Sequence, residues 1–443
     1  MKTPIADFLE QYAARDVSRL HMPGHKGKNR TGCERYDLTE VSGADVLYSA
    51  GGIIRESEDN ASLLFGARTF YSAEGSTLAI RAMLKLAADY AQNGERPLIL
   101  AGRNAHKSFI TAAALLDLDV EWLMPSEACH LASCPITREN VDAALSGEDR
   151  KISAVYITSP DYLGYISDIR GISEVCKSYG VPLLVDNAHG AYLAFLEESL
   201  HPIALGAAMC ADSAHKTLPV LTGGAYLHIS PDFSEYSERA EAALSLFAST
   251  SPSYLILRSL DICNAYLDGE YRRALSECVN RVEALKNALS ESGVSLLDTE
   301  PLKITVSARD MGYSGTEIAE MLRERGVECE FADGDFTVLM VTPDNTERDL
   351  DRVYSALTSI EKRPASRAAI PSPVKGVRAM SVREAIFSLS ESVPVSEALG
   401  RVCSSPTVAC PPAIPSAVAG ELITEEVVEL LTYYGVEKID AVK

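Results

Sequence analysis

The chain has 443 residues, enough for a large core and for two or three domains. A hydrophobic fraction of 47% and a charged fraction of 23% are those of an ordinary globular protein and exclude global disorder. A net charge of −21 and a pI near 4.9 exclude a general nucleic-acid binder, which needs a basic surface; the same field favours cationic small molecules weakly.

No apolar run reaches the ~18–20 residues that cross a bilayer, so no membrane span is expected. The N-terminal M-K-T-P-I-A-D-F-L-E lacks a signal-peptide core. Ten cysteines are scattered without a C-x-x-C pair, which fits a reducing, cytoplasmic compartment. Cys129, His130 and Cys134 lie close together, but two cysteines and one histidine without a second cluster do not make a structural zinc site, and no metal is expected.

Residues 1–20 read as an amphipathic helix, with Ile5, Phe8, Leu9, Tyr12 and Ala13 at helical spacing. Arg19 to Arg30, R-L-H-M-P-G-H-K-G-K-N-R, holds too many glycines, prolines and cations for a regular element and is a loop. His21 and His25 beside Lys26 are placed to meet an anion, or form a solvated basic loop. Asp37 to Leu47 continues an irregular arm with little core of its own, which is expected to pack elsewhere, for example on a partner subunit.

From Glu58 the pattern becomes regular: a helix over 58–66, a strand over 69–72, then A-E-G-S-T (73–77) opening a helix to about Tyr90. Gly75 permits a tight turn, and Ser76 and Thr77 offer hydroxyls beside the free N–H groups of a helix start. That is a phosphate site in physical terms, although simple N-capping explains the same residues. Strands follow at 97–102, 119–124, 152–158 and 182–186, with helices at 107–117 and 169–179. Strand–helix alternation with apolar strands predicts an α/β fold, a mainly parallel sheet covered by helices on both faces.

Ligands in such sheets sit at the carboxyl ends of strands. Four polar clusters fall there: R-N-A-H-K-S (103–108), T-S-P-D-Y-L-G (158–164), D-N-A-H-G (186–190) and D-S-A-H-K (212–216). The last follows a short apolar strand at 207–211 and places Lys216 after His215. An acid, Asp186, at the end of one strand and a lysine, Lys216, after a later one suit pyridoxal phosphate (PLP). The lysine forms a Schiff base, and the acid keeps the pyridine nitrogen protonated so that the ring accepts electrons.

Residues 252–292 are helix-rich, including 254–267 and a long charged stretch through Leu289. A smaller α+β unit has strands at 302–307 and 337–341 and helices at 316–325 and 346–360. The Pro/Ser-rich 362–375 reads as a linker. The expected division is an N-terminal helix and arm (1–57), a large cofactor domain (58–260), a small α+β domain (261–362), a linker (363–379) and a C-terminal domain (380–443).

These motifs together resemble the ornithine/lysine/arginine decarboxylases of the aspartate-aminotransferase-like, fold type I, PLP enzymes, in their short bacterial form. The resemblance runs nearly end to end, on H-M-P-G-H-K-G (21–27), R-N-A-H-K-S, T-S-P-D-Y-L-G, D-N-A-H-G-A (186–191), S-A-H-K-T-L-P-V-L-T (213–222) and T-S-P-S-Y (250–254). M-S-V-R-E-A (380–385), E-A-L-G-R-V (397–402) and P-P-A-I-P (411–415) look like the family's C-terminal domain.

The resemblance implies that Lys216 carries PLP, that Asp186 bonds the pyridine nitrogen and that His106 stacks on the ring. It implies Ser76, Thr77, Ser213 and His215 around the phosphate, with Ala188 and His189 lining the other ring face. His21, His25 and Lys26 would approach the active site from the arm, from the neighbouring subunit of a homodimer, and Thr250 and Ser251 would lie near the dimer seam. Two positions depart from the family pattern: Glu74 stands where Asn is frequent, and Gly223 where Gln is frequent. The implied activity is decarboxylation of arginine, lysine or ornithine in polyamine biosynthesis. Its cationic substrate tail needs a partner, for which Glu328, Glu330 and Asp333 in V-E-C-E-F-A-D stand available, or else form a solvated acidic turn. Two alternatives stay open: aminotransfer, aldol cleavage or β-elimination on the same scaffold, or a catalytically silent binding protein.

Overall fold

The computed structural model describes residues 1–90, 96–125, 133–365, 373–408 and 414–443. Cys129, His130, the middle of the expected linker and Pro411–Ala413 of the C-terminal motif lie outside the described residues. The chain opens with α1 (Pro4–Ala14), α2 (Ile53–Phe65), β1 (Arg68–Ser72) and α3 (Gly75–Tyr90). There follow β2 (Leu98–Gly102), α4 (Lys107–Leu116), β3 (Asp119–Leu123), α5 (Arg138–Gly147), β4 (Ile152–Thr158) and α6 (Ile169–Ser178). Next are β5 (Leu183–Asp186), β6 (Met209–Asp212), α7 (Ala214–Thr217), β7 (Ala225–Ile229), α8 (Ser237–Ser245), α9 (Tyr254–Asp268) and α10 (Tyr271–Glu291). Then come β8 (Lys303–Ser307), α11 (Gly315–Glu324), β9 (Phe331–Ala332), β10 (Phe336–Met340) and α12 (Glu347–Thr358). The chain closes with α13 (Val382–Phe387), β11 (Ser390–Pro394), α14 (Glu425–Tyr433) and β12 (Lys438–Val442).

The first seven strands form a sheet in the order β1-β7-β6-β5-β4-β2-β3. The β5–β6 and β2–β3 pairs are parallel, and β7 runs antiparallel to both β1 and β6. This is the expected α/β class, with the antiparallel β7 second from the edge and the edge strand β1 parallel to β6. β7 is absent from the sequence reading, because the A-Y-L-H-I run follows a turn rather than a helix. Two compact units share the chain: Met1–Asn93 with Ser153–Tyr156 and Ile169–Arg272, and Gly94–Ile152 with Ile157–Asp168 and Arg273–Lys443.

In the first unit, the helix expected at 58 begins at Ile53. Its N-terminus is capped from a distance: the Asp45 carboxylate accepts from the N–H groups of Gly52 (2.8 Å) and Ile54 (3.0 Å), and from Gly51 (3.0 Å). Burial of Asp45 opposes its charge, but the backbone N–H groups outweigh that and hold its pKa below the ordinary value. Helix α1 ends at Ala14 instead of running to 20, and its first turn is capped by Asp261 of α9, which accepts from Ile5 and Ala6 N–H, both at 2.9 Å. The arm packs on its own chain, where Tyr254 Oη donates to the carbonyls of Ala44 (3.1 Å) and Asp45 (2.8 Å).

In the second unit, β8, β10 and β9 form an antiparallel sheet and β11 pairs with β12. The end of β2 leads into Arg103, whose guanidinium makes a bidentate, buried pair with Glu421 at 2.6 and 2.7 Å. Arg103 also lies 5.0 Å over the Trp122 ring. One buried fork thus holds the C-terminal segment to the β2–β3 pair. Helix α5, missing from the sequence reading, starts on a Thr137/Asn140 capping box.

Candidate active site

Because β5 and β6 are parallel neighbours, their carboxyl ends open at one sheet edge. Asp186 ends β5 and is 2% exposed. Its Oδ2 accepts from the Tyr156 hydroxyl on β4 at 3.1 Å, and its Oδ1 from the Ala188 N–H at 3.2 Å. Both donors favour the carboxylate form. Burial first, and then the charge of Asp186, push the Tyr156 phenol well above its ordinary range, so it stays a donor. Tyr156 had no signal in the sequence: on a strand buried along most of its length, alternation does not single out one side chain.

After β6 the chain enters the short α7, which presents Lys216. Lys216 Nζ lies 3.0 Å from Nε2 of His189, a buried ring three residues past Asp186. The Lys216 N–H donates to Ser213 O (3.0 Å), and the His215 N–H (3.2 Å) and ring Nδ1 (3.0 Å) both contact Gly224 O. The lysine therefore rises from a turn fixed at three points.

The β1–α3 junction is where the sequence places an anion site. Gly75 adopts φ +71° and its N–H donates to Gly223 O at 2.7 Å. Ser213 Oγ donates to Ser76 Oγ at 2.8 Å, which brings the turn after β6 to the start of α3, beside Thr77. Hydroxyls and the N–H groups of a sixteen-residue helix start are a fit site for an oxyanion. The two departures also sit here. Glu74 accepts from Ser249 N–H at 2.7 Å, and Gly223 has φ +99° with Ala73 O only 3.1 Å from where a Cβ would stand.

His106 belongs to the second unit, where it is exposed and caps α4, its Nδ1 lying 3.2 Å from the Ser108 N–H that donates to it. His21, His25 and Lys26 make their contacts inside the arm: His21 with the Tyr12 hydroxyl (2.8 Å), His25 with Asp37 (3.1 Å), Lys26 with the His21 carbonyl (2.5 Å). Thr250 and Ser251 are exposed, and the Ser251 N–H donates to Ser249 Oγ at 3.2 Å. The three acids considered for a substrate tail separate clearly. Glu328 is exposed with Arg323 at 3.4 Å. Asp333 is buried and accepts from the N–H groups of Asp335 (2.8 Å) and Phe336 (2.6 Å), closing the β9–β10 turn. Glu330 is exposed and accepts from the Tyr162 hydroxyl at 3.2 Å. Tyr162 lies in T-S-P-D-Y-L-G and is a partner that the sequence did not reveal.

Residues 3–308 match the family model described as Orn/Lys/Arg decarboxylase, major domain. An arginine decarboxylase of Bacillus subtilis is 30% identical over 460 residues, spanning 96% of this chain and 92% of the relative. An uncharacterized protein of the same organism, YaaO, is 32% identical over 461 residues, spanning 98% and 94%. The solved lysine decarboxylase LdcF of Francisella novicida has a TM-score of 0.82 and 17% identity, covering 100% of this chain and 81% of that one. At that identity the likeness is one of fold, the fold type I architecture expected from the strand-end clusters.

Proposed function

Because the chain belongs to the Orn/Lys/Arg decarboxylase family, we propose that it removes CO2 from a basic L-amino acid (arginine, lysine or ornithine), using PLP. One arrangement carries the reading: Asp186 and Lys216 at the ends of adjacent structural steps, with the Ser76–Ser213 hydroxyl pair at the start of α3. The residues present fit PLP by the chemistry of this donor set: an amine, a buried carboxylate and an oxyanion cradle. When bound, PLP supplies an electron sink for the pair left when the Cα–carboxylate bond breaks.

The protein's own groups then divide the work. Lys216 Nζ would be the covalent anchor. Ser76, Thr77, Ser213 and the α3 N-terminus would hold the phosphate, with His215 beside them. Asp186, positioned by Tyr156 and the Ala188 N–H, would hold the ring-nitrogen proton, a charge placed where charge develops. His189, 3.0 Å from Lys216 Nζ, would exchange a proton with that amine and so return one to Cα. For His106 at the ring face, and for His21, His25 and Lys26 reaching a partner's site in a cytoplasmic homodimer, support comes from the family pattern. Glu330 is the proposed partner of the cationic substrate tail, since Asp333 is consumed by its turn and Glu328 by Arg323.

The test is CO2 release by the PLP-loaded protein from arginine, lysine and ornithine separately, with Lys216→Ala as control. Release from one of them, abolished in the variant, is expected. A bound cofactor with amino-group transfer or a cleaved side chain in place of CO2 would sink the decarboxylase reading and move the chain to another reaction of the fold.

A further inference from the structure

On the sheet of the first unit, His201, Cys210, Asp212 and His228 converge, and all four are buried. The sequence does not draw them together: His201 comes from the segment between β5 and β6, Cys210 and Asp212 from β6, and His228 from β7. The ladder does. Cys210 stands opposite His228 in the β6–β7 register, and Cys210 and Asp212, two apart, share a face. Ala211 lies between them and is the register partner of Asp186, so Asp186 projects to the other face. The cluster is thus separate from the proposed cofactor acid and does not depend on that reading.

We propose that these four side chains bind a divalent transition metal, zinc or a metal of similar preference. One potential ligand atom from each residue lies within 4.8 Å of all the others. His201 Nε2 and His228 Nε2 lie 3.0 and 3.2 Å from Asp212 Oδ2, and Cys210 Sγ lies 3.7 Å from His201 Nε2. A tetrahedral zinc with ordinary bond lengths sets nitrogen–oxygen edges of about 3.3 Å and nitrogen–sulfur edges of about 3.6 Å. The two Asp212–histidine edges and the His201–Cys210 edge already lie within a few tenths of an ångström of those values.

Charge and supporting contacts agree. Asp212 is fully buried, and its polar partners are Asn187 (2.7 Å), Cys210 and the two histidines, with no lysine or arginine ion pair among the described residues. A buried carboxylate without a cation is costly. A divalent ion bound by one carboxylate, one thiolate and two neutral imidazoles makes a neutral set. The His228 ring is already held as a metal ligand's would be. His228 Nδ1 meets the Thr69 hydroxyl at 2.8 Å, leaving Nε2 to point inward. All polar contacts of the His201 ring are on the Nε2 side, while Phe65 packs against both imidazoles, at 5.4 and 4.4 Å between centroids. A mixed nitrogen, sulfur and oxygen set from buried side chains suits zinc over calcium or magnesium.

The test is elemental analysis and zinc K-edge X-ray absorption on the PLP-loaded full chain, grown with zinc and dialysed. The expected result is about one zinc per chain with one sulfur among nitrogen and oxygen neighbours. Cys210→Ser should lose the sulfur scatterer, whereas Cys176→Ser, a buried cysteine elsewhere, should not. Thr69→Val, which keeps the shape but removes the hydroxyl behind His228, should weaken zinc by about 10- to 100-fold. Wild type with less than about a tenth of an equivalent of zinc, or zinc whose sulfur neighbour persists in Cys210→Ser, would overturn the proposal and leave the cluster a hydrogen-bonded one. If Cys210→Ser fails to fold, the wild-type content and absorption spectrum decide alone.

Discussion

The Tyr156 hydroxyl donates to the Asp186 carboxylate across 3.1 Å, from β4 to the end of β5, with both groups buried. Asp186 is thereby held in place. The two residues should fail differently. Asp186→Ala removes the charge that would face the ring nitrogen and should lower kcat by about 10²–10³. Tyr156→Phe leaves that charge and removes one hydrogen bond to it, worth about 1.5–3 kcal/mol to a charged group. Part of that reappears as lost stability, so kcat should fall by no more than about tenfold. Steady-state kinetics with a cofactor absorption spectrum for each variant checks this; equal losses would show that Tyr156 does more than orient the acid.

Gly223 should resist substitution for a reason of backbone shape. Its φ of +99° disfavours any side chain, and a Cβ would approach Ala73 O to 3.1 Å. Its carbonyl also accepts from Gly75 N–H at the head of α3. Gly223→Ala is expected to cost more than about 1 kcal/mol of stability and to weaken PLP, because the strain falls on the turn that shapes the proposed anion cradle. Cofactor titration and denaturant melts measure the two effects. Gly223→Gln, the side chain frequent in the family, faces the same backbone, so unchanged cofactor affinity in it would show that the turn can relax.

The strand-end clusters made a candidate site readable because a parallel sheet brings separate polar clusters to one edge without requiring knowledge of the loops. Asp186 and Lys216 stand out that way, Ser76 from the glycine-led helix start, and the phosphate roles of Ser76 and Ser213 only from the family resemblance. What stayed hidden depends on partners distant in sequence. Asp45 starts α2 from eight residues before Ile53, Asp261 caps α1 from the far end of the unit, and His201 reaches its cluster from an irregular segment. No local pattern announces such contacts. The Thr137/Asn140 box of α5 was readable and was missed, because Asn at the third helical position is a weaker signal than Glu or Gln. Among the tail acids, composition could not separate Asp333, turned into its own backbone, from Glu330, turned to Tyr162.

The fork between Arg103 and Glu421 gives a prediction about stability rather than chemistry. The guanidinium is fully buried and its partner nearly so. Glu421 also accepts from Val418 N–H at 2.9 Å. Removing the carboxylate in Glu421→Ala leaves a buried cation and a backbone donor unmet, and should cost about 3–5 kcal/mol. Replacing both residues by apolar ones of similar volume should restore much of that, since the pair itself contributes little net stability. Chemical denaturation of the single and double variants tests this; a single variant within about 1 kcal/mol of wild type would mean that water reaches Arg103.

Asp261 should give the pH response of α1 docking an unusual sign. Its carboxylate accepts from two N–H groups of α1 and from Ser57 Oγ at 2.5 Å, yet burial outweighs these donors and raises its pKa from 3.8 to about 6. The folded protein therefore binds more protons at this site than the unfolded chain between those two values. Stability contributed by Asp261 is complete below about pH 4, falls as pH rises to about 6 and stays flat above, the reverse of an ion-paired carboxylate. The whole step is at most about 3 kcal/mol. Asp261→Asn keeps an acceptor for the α1 N–H groups and cannot ionise. The difference in unfolding free energy between wild type and Asp261→Asn should therefore move against wild type from pH 4 to 6, and protease cleavage near α1 should rise in wild type over the same window. A difference that is constant with pH would show that the α1 donors hold Asp261 ionised throughout.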